Sequence, residues 1–338
     1  MANPLRFASP SLVITRTPLR VSFAGGGTDL AAFYEQEHGA VLSTAIDKYI
    51  YVTVKRHGNV FNERIRLNYF KSEEVQEIDE IENNIARECL RFLKIDPPIY
   101  ISTVGDLPVA SGLGGSSSFA VWLLNALHAY RGERASAGQL AEEASYIEIE
   151  VLSEPIGKQD QYAAAFGGLN FFCFKPGGGV TVEPHRLSNG AFNALFDYFM
   201  MFWTGHQRQA SSVLTEQKQK TPKMMDSLIN MRGHAYQLQA LLANGSCDIE
   251  AFGRLLDESW QLKRGLASII SNDQIDTWYR LAMEAGATGG KVCGAGGGGF
   301  LLFVVPPDRQ QAVSEVLRDL KQIQVRPEVH GSQILLME

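Results

Sequence analysis

Leu107-Pro108-Val109-Ala110-Ser111-Gly112-Leu113-Gly114-Gly115-Ser116-Ser117-Ser118 is the stretch on which the reading of this chain turns. It follows Ile99 to Val104, a short run rich in β-branched residues that predicts a strand. It opens Phe119 to Tyr130, apolar almost all round, which predicts a buried helix. Glycine runs cost backbone entropy, so a core has no use for them. A glycine loop feeding a helix N-terminus presents unpaired N–H groups and the positive end of the helix dipole. That arrangement binds anions, phosphate above all. The serines add hydroxyls that cap the helix or ligate a cation. No Gly-Lys-[Ser/Thr] follows, so this is not a Walker A loop, and the spacing is not the dinucleotide G-x-G-x-x-G. Taken alone, the segment is equally compatible with a capped helix after a flexible turn.

Two further glycine clusters lie far away in the chain. Gly25-Gly26-Gly27 follows an expected strand carrying Arg20 and leads into Thr28-Asp29, either of which is a candidate helix N-cap. Gly294-Ala295-Gly296-Gly297-Gly298-Gly299 precedes the apolar run Phe300 to Val305 and reads by itself as a tight hairpin.

Length and composition bound the rest. The 338 residues suggest two domains and are enough to bury a core without disulfides or metal. The net charge of −6 argues against a general nucleic-acid binder. No apolar run approaches the roughly 18 residues of a membrane span, and the N-terminus lacks an apolar signal region. The four cysteines form no C-x-x-C pair, which suits a reduced, cytoplasmic protein, and the seven histidines show no metal-ligand spacing. Strands are expected at Leu12–Thr17, Tyr49–Lys55, Glu63–Tyr69, Leu169–Phe174, Val180–Glu183, Phe196–Trp203 and Gln333–Met337. Helices are expected at Ile81–Leu93, Ala137–Leu152, Gln209–Lys220, Pro222–Asn244, Ile249–Ile270, Asp273–Ala285 and Arg309–Gln322. Both halves read as α+β, with a boundary near residues 188/189: an N-terminal domain 1–188 and a C-terminal domain 189–338. Nothing specifies the oligomeric state; a homodimer is compatible.

Together and in this order, the three glycine segments resemble the three motifs of the GHMP kinases. The middle motif corresponds to Pro108–Ser117, with Gly115 where the family often has serine and Ser117 where it often has alanine. The resemblance implies a two-domain α+β fold, the N-terminal half like a ribosomal-protein domain and the C-terminal half ferredoxin-like. It implies ATP and Mg2+ as the cofactors, with Pro108, Ser111, Gly112, Leu113, Gly114, Gly115, Ser116 and Ser117 around the ATP phosphates. Ser116 and Glu148 then fall on the magnesium ligands, with Glu150 the alternative to Glu148. Asp160, in Gly157-Lys158-Gln159-Asp160-Gln161, falls on the catalytic aspartate and Arg20 on the basic residue near the transferred phosphate. Gly26, Gly27, Thr28, Asp29, Lys158, Gly296 and Gly297 fall on substrate-binding positions. Taken singly, Asp160 reads as a helix cap and Glu148 as a solvated helix residue. The segments Thr17–Ile50 and Pro155–Ala164 resemble the branch that phosphorylates D-glycero-D-manno-heptose 7-phosphate at C1. Related branches act on fucose or other sugars. The implied partners are ATP and a small-molecule sugar phosphate, without nucleic acid or membrane. Lys48, Arg66, Lys158 and Arg208 are the candidate cations for the sugar's own phosphate. A catalytically silent sugar-binding member and an RNA-binding module are the competing readings; the presence of Arg20, Ser116, Glu148 and Asp160 favours the enzyme.

Overall fold

Two long antiparallel strands, β1 (Leu12–Ala24) and β2 (Gly39–Arg56), organise the structure. The computed structural model describes residues 10–338 apart from 59, 109, 186, 208, 209 and 244–247; the side chains of residues 116, 117, 189, 210 and 243 also lie outside the description. The first half of β1 alternates buried and part-buried residues, while every residue from Pro18 to Ala24 is buried. A strand that alternates has one face covered; one buried throughout is covered on both. The register shift between Pro18 and Leu19 marks the change.

β1 and β2 lie in an eight-stranded sheet with β3 (Ile65–Asn68), β4 (Ser72–Val75), β5 (Ile99–Gly105), β6 (Leu169–Phe174), β7 (Val180–Pro184) and β12 (Gln333–Met337), the last of twelve strands. The far half of β2 pairs with β5 and its near half with β6, so the ribbon serves two branches of one sheet. Among the helices of this lobe are α1 (Ala31–Tyr34), α2 (Asn84–Phe92), α3 (Gly115–Tyr130), α4 (Ala137–Ser145) and α5 (Gln159–Phe166). α3 is the hub. Trp122, Leu123, Leu124 and Leu127 are fully buried, each worth roughly 1.5–3 kcal/mol of burial.

The second lobe has a four-stranded antiparallel sheet in the order β11 (Lys321–Ile323), β8 (Phe199–Trp203), β10 (Phe300–Val304), β9 (Gly289–Val292). α6 (Asn189–Phe196) sends Phe192, Leu195 and Phe196 into the larger core shared with the first sheet, while α7 (Ala210–Lys220), α8 (Met225–Ala243), α9 (Ile249–Arg264), α10 (Asp273–Glu284) and α11 (Gln310–Val316) pack around Phe202, Trp260, Leu301 and Phe303. α8 and α9 also contact β1, which covers the second face of its buried half. With residues 189–338 assigned to the second domain, β12 is the exception: it pairs antiparallel with β1 in the first sheet.

Several expected elements differ. The helix expected over Ala137–Leu152 is α-helical only to Ser145 and widens into a π turn over Tyr146–Val151. The strand expected from Phe196 starts at Phe199, because Ser188 caps a helix over the preceding residues, its Oγ accepting the Ala191 N–H at 3.3 Å. α9 ends at Arg264, before Gly265. The helix expected to reach Gln322 stops at Val316, and Lys321–Ile323 joins the sheet edge. Cys89, Cys173 and Cys293 are free thiols; Cys247 is outside the described residues.

Candidate active site

The three glycine clusters meet on one cleft of about 390 Å3 between the lobes, lined among others by Gly26, Gly27, Gly112, Gly114, Gly296 and Gly298. The middle cluster forms the floor. Gly112 and Gly114 have φ of +82° and +80°, a conformation glycine adopts without a Cβ penalty, and Gly114 is the N-cap of α3. The sixteen-residue helix therefore points its N-terminus at the cleft. The third cluster is more than a hairpin turn. A Cβ on Gly294 would lie 2.5 Å from the Gly112 carbonyl oxygen, and one on Gly299 would lie 2.3 Å from that of Ser111. These glycines let the loop between β9 and β10 lie backbone to backbone against the loop before α3.

Arg20 and Asp160 meet across the cleft wall. Arg20 Nε donates to Asp160 Oδ1 and Nη2 to Oδ2, both at 2.8 Å, and Nη1 donates to the Gly112 carbonyl at 2.8 Å. The fork geometry is the strong, bidentate kind of ion pair. Asp160 thus caps nothing: it is the second residue of α5, with Lys158 at the N-cap position. Asp29 is buried beside it, its Oδ1 accepting the Gly27 N–H at 2.8 Å and Gln159 Nε2 at 3.2 Å. Burial pushes the Asp29 carboxyl above its ordinary range, against the Gly27 N–H, which lowers it. A Cβ on Gly157 would come within 2.0 Å of Asp29 Oδ2, so that glycine leaves the room Asp29 occupies.

Glu148 lies in the π turn, 1% exposed, lines the cleft, and accepts from Gln161 Nε2 at 2.8 Å. The widened turn carries this carboxylate inward, and π turns recur at functional sites. Glu150, the nearest alternative, does not line the cleft.

Not every expected residue reaches the cavity. Pro108 is exposed, while Ser111 and Leu113 are buried beneath the loop. The side chains of Ser116 and Ser117 lie outside the described residues. Thr28 is no cap: its hydroxyl donates to the Gly25 carbonyl at 2.7 Å and accepts the Ala40 N–H at 3.0 Å, closing the first glycine loop. Gly297 donates its N–H to Ile270 and lies outside the cavity lining. Lys158 does not line the cleft either; its Nζ donates to the Gly178 carbonyl at 2.7 Å and sits 3.7 Å from Glu142. Lys48 is held by Asp47, and Arg66 pairs with Glu63 and Glu74 on the sheet surface. Arg208 is outside the described residues.

Two groups on the cleft wall were not anticipated. Lys263 is 6% exposed, lines the cavity, and donates from Nζ to the Gly294 carbonyl. Burial, reinforced by the Arg20 charge, pulls its ammonium down to about 8. Its signal in the sequence is that it continues the buried stripe Phe252, Leu256, Trp260 of α9, where a lysine has no place unless it is used. Gln217 of α7 is 2% exposed and lines the cleft with Ser211 and Leu214, and its Nε2 has no hydrogen-bond partner among the described residues. A Cβ on Gly27 would stand 2.2 Å from that nitrogen.

Comparison with known proteins places this arrangement. Residues 82–168 match the family described as GHMP kinases N terminal domain, and residues 238–322 match GHMP kinases C terminal. The chain is 32% identical to a D-glycero-alpha-D-manno-heptose 7-phosphate kinase of Campylobacter jejuni, over 90% of this chain and 92% of that protein. It is 24% identical to a galactokinase of Pyrococcus furiosus over 91% and 93% of the two chains. A solved structure named as a D-glycero-D-manno-heptose 1-phosphate kinase from Bacteroides thetaiotaomicron superposes with a TM-score of 0.79 at 25% identity, covering 96% of this chain and 99% of that one. The two heptose kinase names put the acceptor's phosphate on different carbons.

Proposed function

This chain belongs to the GHMP kinase family and is an ATP-dependent sugar kinase; on that premise we propose that it transfers the γ-phosphoryl group of ATP to the anomeric (C1) hydroxyl of D-glycero-D-manno-heptose 7-phosphate. The observation that carries the reading is the Arg20–Asp160 fork on the wall of a cleft floored by the α3 N-terminus. The whole-length similarity to a heptose 7-phosphate kinase supports the choice of sugar. The product, a 1,7-bisphosphate, feeds nucleotide-activated heptose for surface polysaccharide, work for the cytoplasm, where ATP and sugar phosphates are held.

The ATP phosphates lie on the loop from Gly112 to Ser118, where backbone N–H groups and the helix dipole meet their charge. Mg2+ takes few protein oxygens and keeps waters and phosphate oxygens as its other ligands. A buried glutamate on the cleft wall fits that donor chemistry, and Glu148 with Ser116 would hold the ion. Held there, the ion would supply positive charge to neutralise the phosphates during transfer. Asp160 accepts the proton of the attacking hydroxyl, and Arg20 fixes the orientation of the carboxylate that does so. Asp29 accepts from the sugar's hydroxyls, and Gln217 donates to one.

The test is ADP release against a panel of sugars. The heptose 7-phosphate is expected to show a kcat/KM far above those of mannose, galactose and fucose. Comparable kcat/KM for a plain hexose would refute the choice of sugar.

A further inference from the structure

The transferred phosphoryl group carries its charge on three equatorial oxygens, and phosphoryl transfer depends on neutralising them. Arg20 is largely engaged: three of its N–H donors go to Asp160 and to the Gly112 carbonyl. None of the surface cations suggested by the sequence lines the cleft among the described residues. Lys263 does. It belongs to the second lobe, reaches the cavity from the end of α9, and among the described residues is held by one hydrogen bond, to the Gly294 carbonyl. An ammonium has three donors, so this bond leaves two to face the cleft. Gly294 in turn lies against Gly112, on the loop that floors the cavity. A buried ammonium close to a guanidinium is costly, and such groups persist where a ligand anion completes them.

We propose that Lys263 is a catalytic residue whose ammonium binds the γ-phosphoryl group during transfer, adding from the second lobe a cation to Arg20, three of whose donors are already engaged. The bond from the sugar's C1 oxygen to phosphorus forms as the bond from phosphorus to the β-phosphate oxygen breaks. The hydroxyl proton goes to Asp160, and Lys263 keeps its own throughout. Because the two loops belong to different lobes, the cation is in place only when the lobes are apposed.

The inference rests on the kinase assignment and not on which sugar is used. The experiment compares wild type, Lys263→Met and Lys263→Arg with ATP, Mg2+ and whichever panel sugar wild type turns over fastest. Failure of the heptose to react therefore refutes the sugar assignment alone. Lys263→Met is expected to lower kcat on the order of 10²-fold, with KM for ATP and sugar changed only a few-fold; Lys263→Arg restores part of the rate. The pH profile adds a readout that a structural role would not move. The titratable groups facing Lys263 are Arg20, Asp29, Asp160 and Lys291, together with the thiol of Cys293, which burial pushes up and keeps neutral. Wild-type kcat/KM is expected to fall above about pH 8, as the ammonium loses its proton, and Lys263→Arg to push that limb upward. If Lys263→Met does not fold, the wild-type and Lys263→Arg profiles decide. Three results overturn the proposal: a normal kcat in folded Lys263→Met, a loss confined to the KM of phosphorylated sugars, or an alkaline limb unmoved by Lys263→Arg.

Discussion

Gln217→Leu should make the protein more stable and less active, and the structure gives both signs. The Gln217 amide is 2% exposed and its Nε2 has no partner among the described residues. A buried donor left unpaired costs about 1–3 kcal/mol, whereas an apolar group of similar volume does not carry that cost. Leu228 Cδ2 flanks the same spot above Gly27, so a leucine side chain meets apolar surface. Taking about 1 kcal/mol as recovered, Tm should rise by about 1–2 °C for a chain of this size. In the complex the balance reverses. The sugar hydroxyl that Gln217 would satisfy is left buried without its donor, again about 1–3 kcal/mol, so kcat/KM for the sugar should fall roughly 5- to 150-fold. KM for ATP should hold, because Gln217 stands over the first glycine loop rather than the α3 N-terminus. Scanning fluorimetry and coupled ADP release read the two effects. A Tm several degrees lower with unchanged kinetics would show that Gln217 is an ordinary packed side chain and defeat the argument.

Asp160→Asn keeps the size of the side chain facing Arg20 but cannot accept the sugar's proton. Its kcat should drop on the order of 10² or more, while ATP affinity by calorimetry stays within a few-fold; a near-normal kcat removes Asp160 from the chemistry. Gly294→Ala places a Cβ 2.5 Å from the Gly112 carbonyl oxygen at φ +71°, where left-handed backbone alone costs a non-glycine residue about 1–2 kcal/mol. ATP binding should weaken about tenfold or more and Tm should fall; Gly115→Ala, whose Cβ would meet nothing within 4 Å among the described residues, is the stability control. Unchanged ATP affinity and Tm in Gly294→Ala would mean that the two loops do not depend on their contact.

What the sequence determined by itself was everything written in local runs. Glycine spacing around Gly112–Gly115 and the apolar helix after it specify a loop and a buried helix, because backbone conformation and amphipathicity are properties of neighbouring residues. The order of the three clusters carried the family, and the Asp160 segment carried its partner for Arg20. Tertiary structure decided where charges end. Lys158, Lys48 and Arg66 looked as available as any other cation, yet each is taken up by a nearby carbonyl or carboxylate, while Lys263 travels on a buried stripe into the cleft. A long side chain's destination depends on what packs over it, which no local pattern records. The same holds for Gly294 and Gly299, whose need is set by the distant backbone of Gly112 and Ser111, and for β12, which closes the first sheet from the far end of the chain. Contacts between distant segments are chosen by the fit of finished elements, and that choice exists only once the chain has folded.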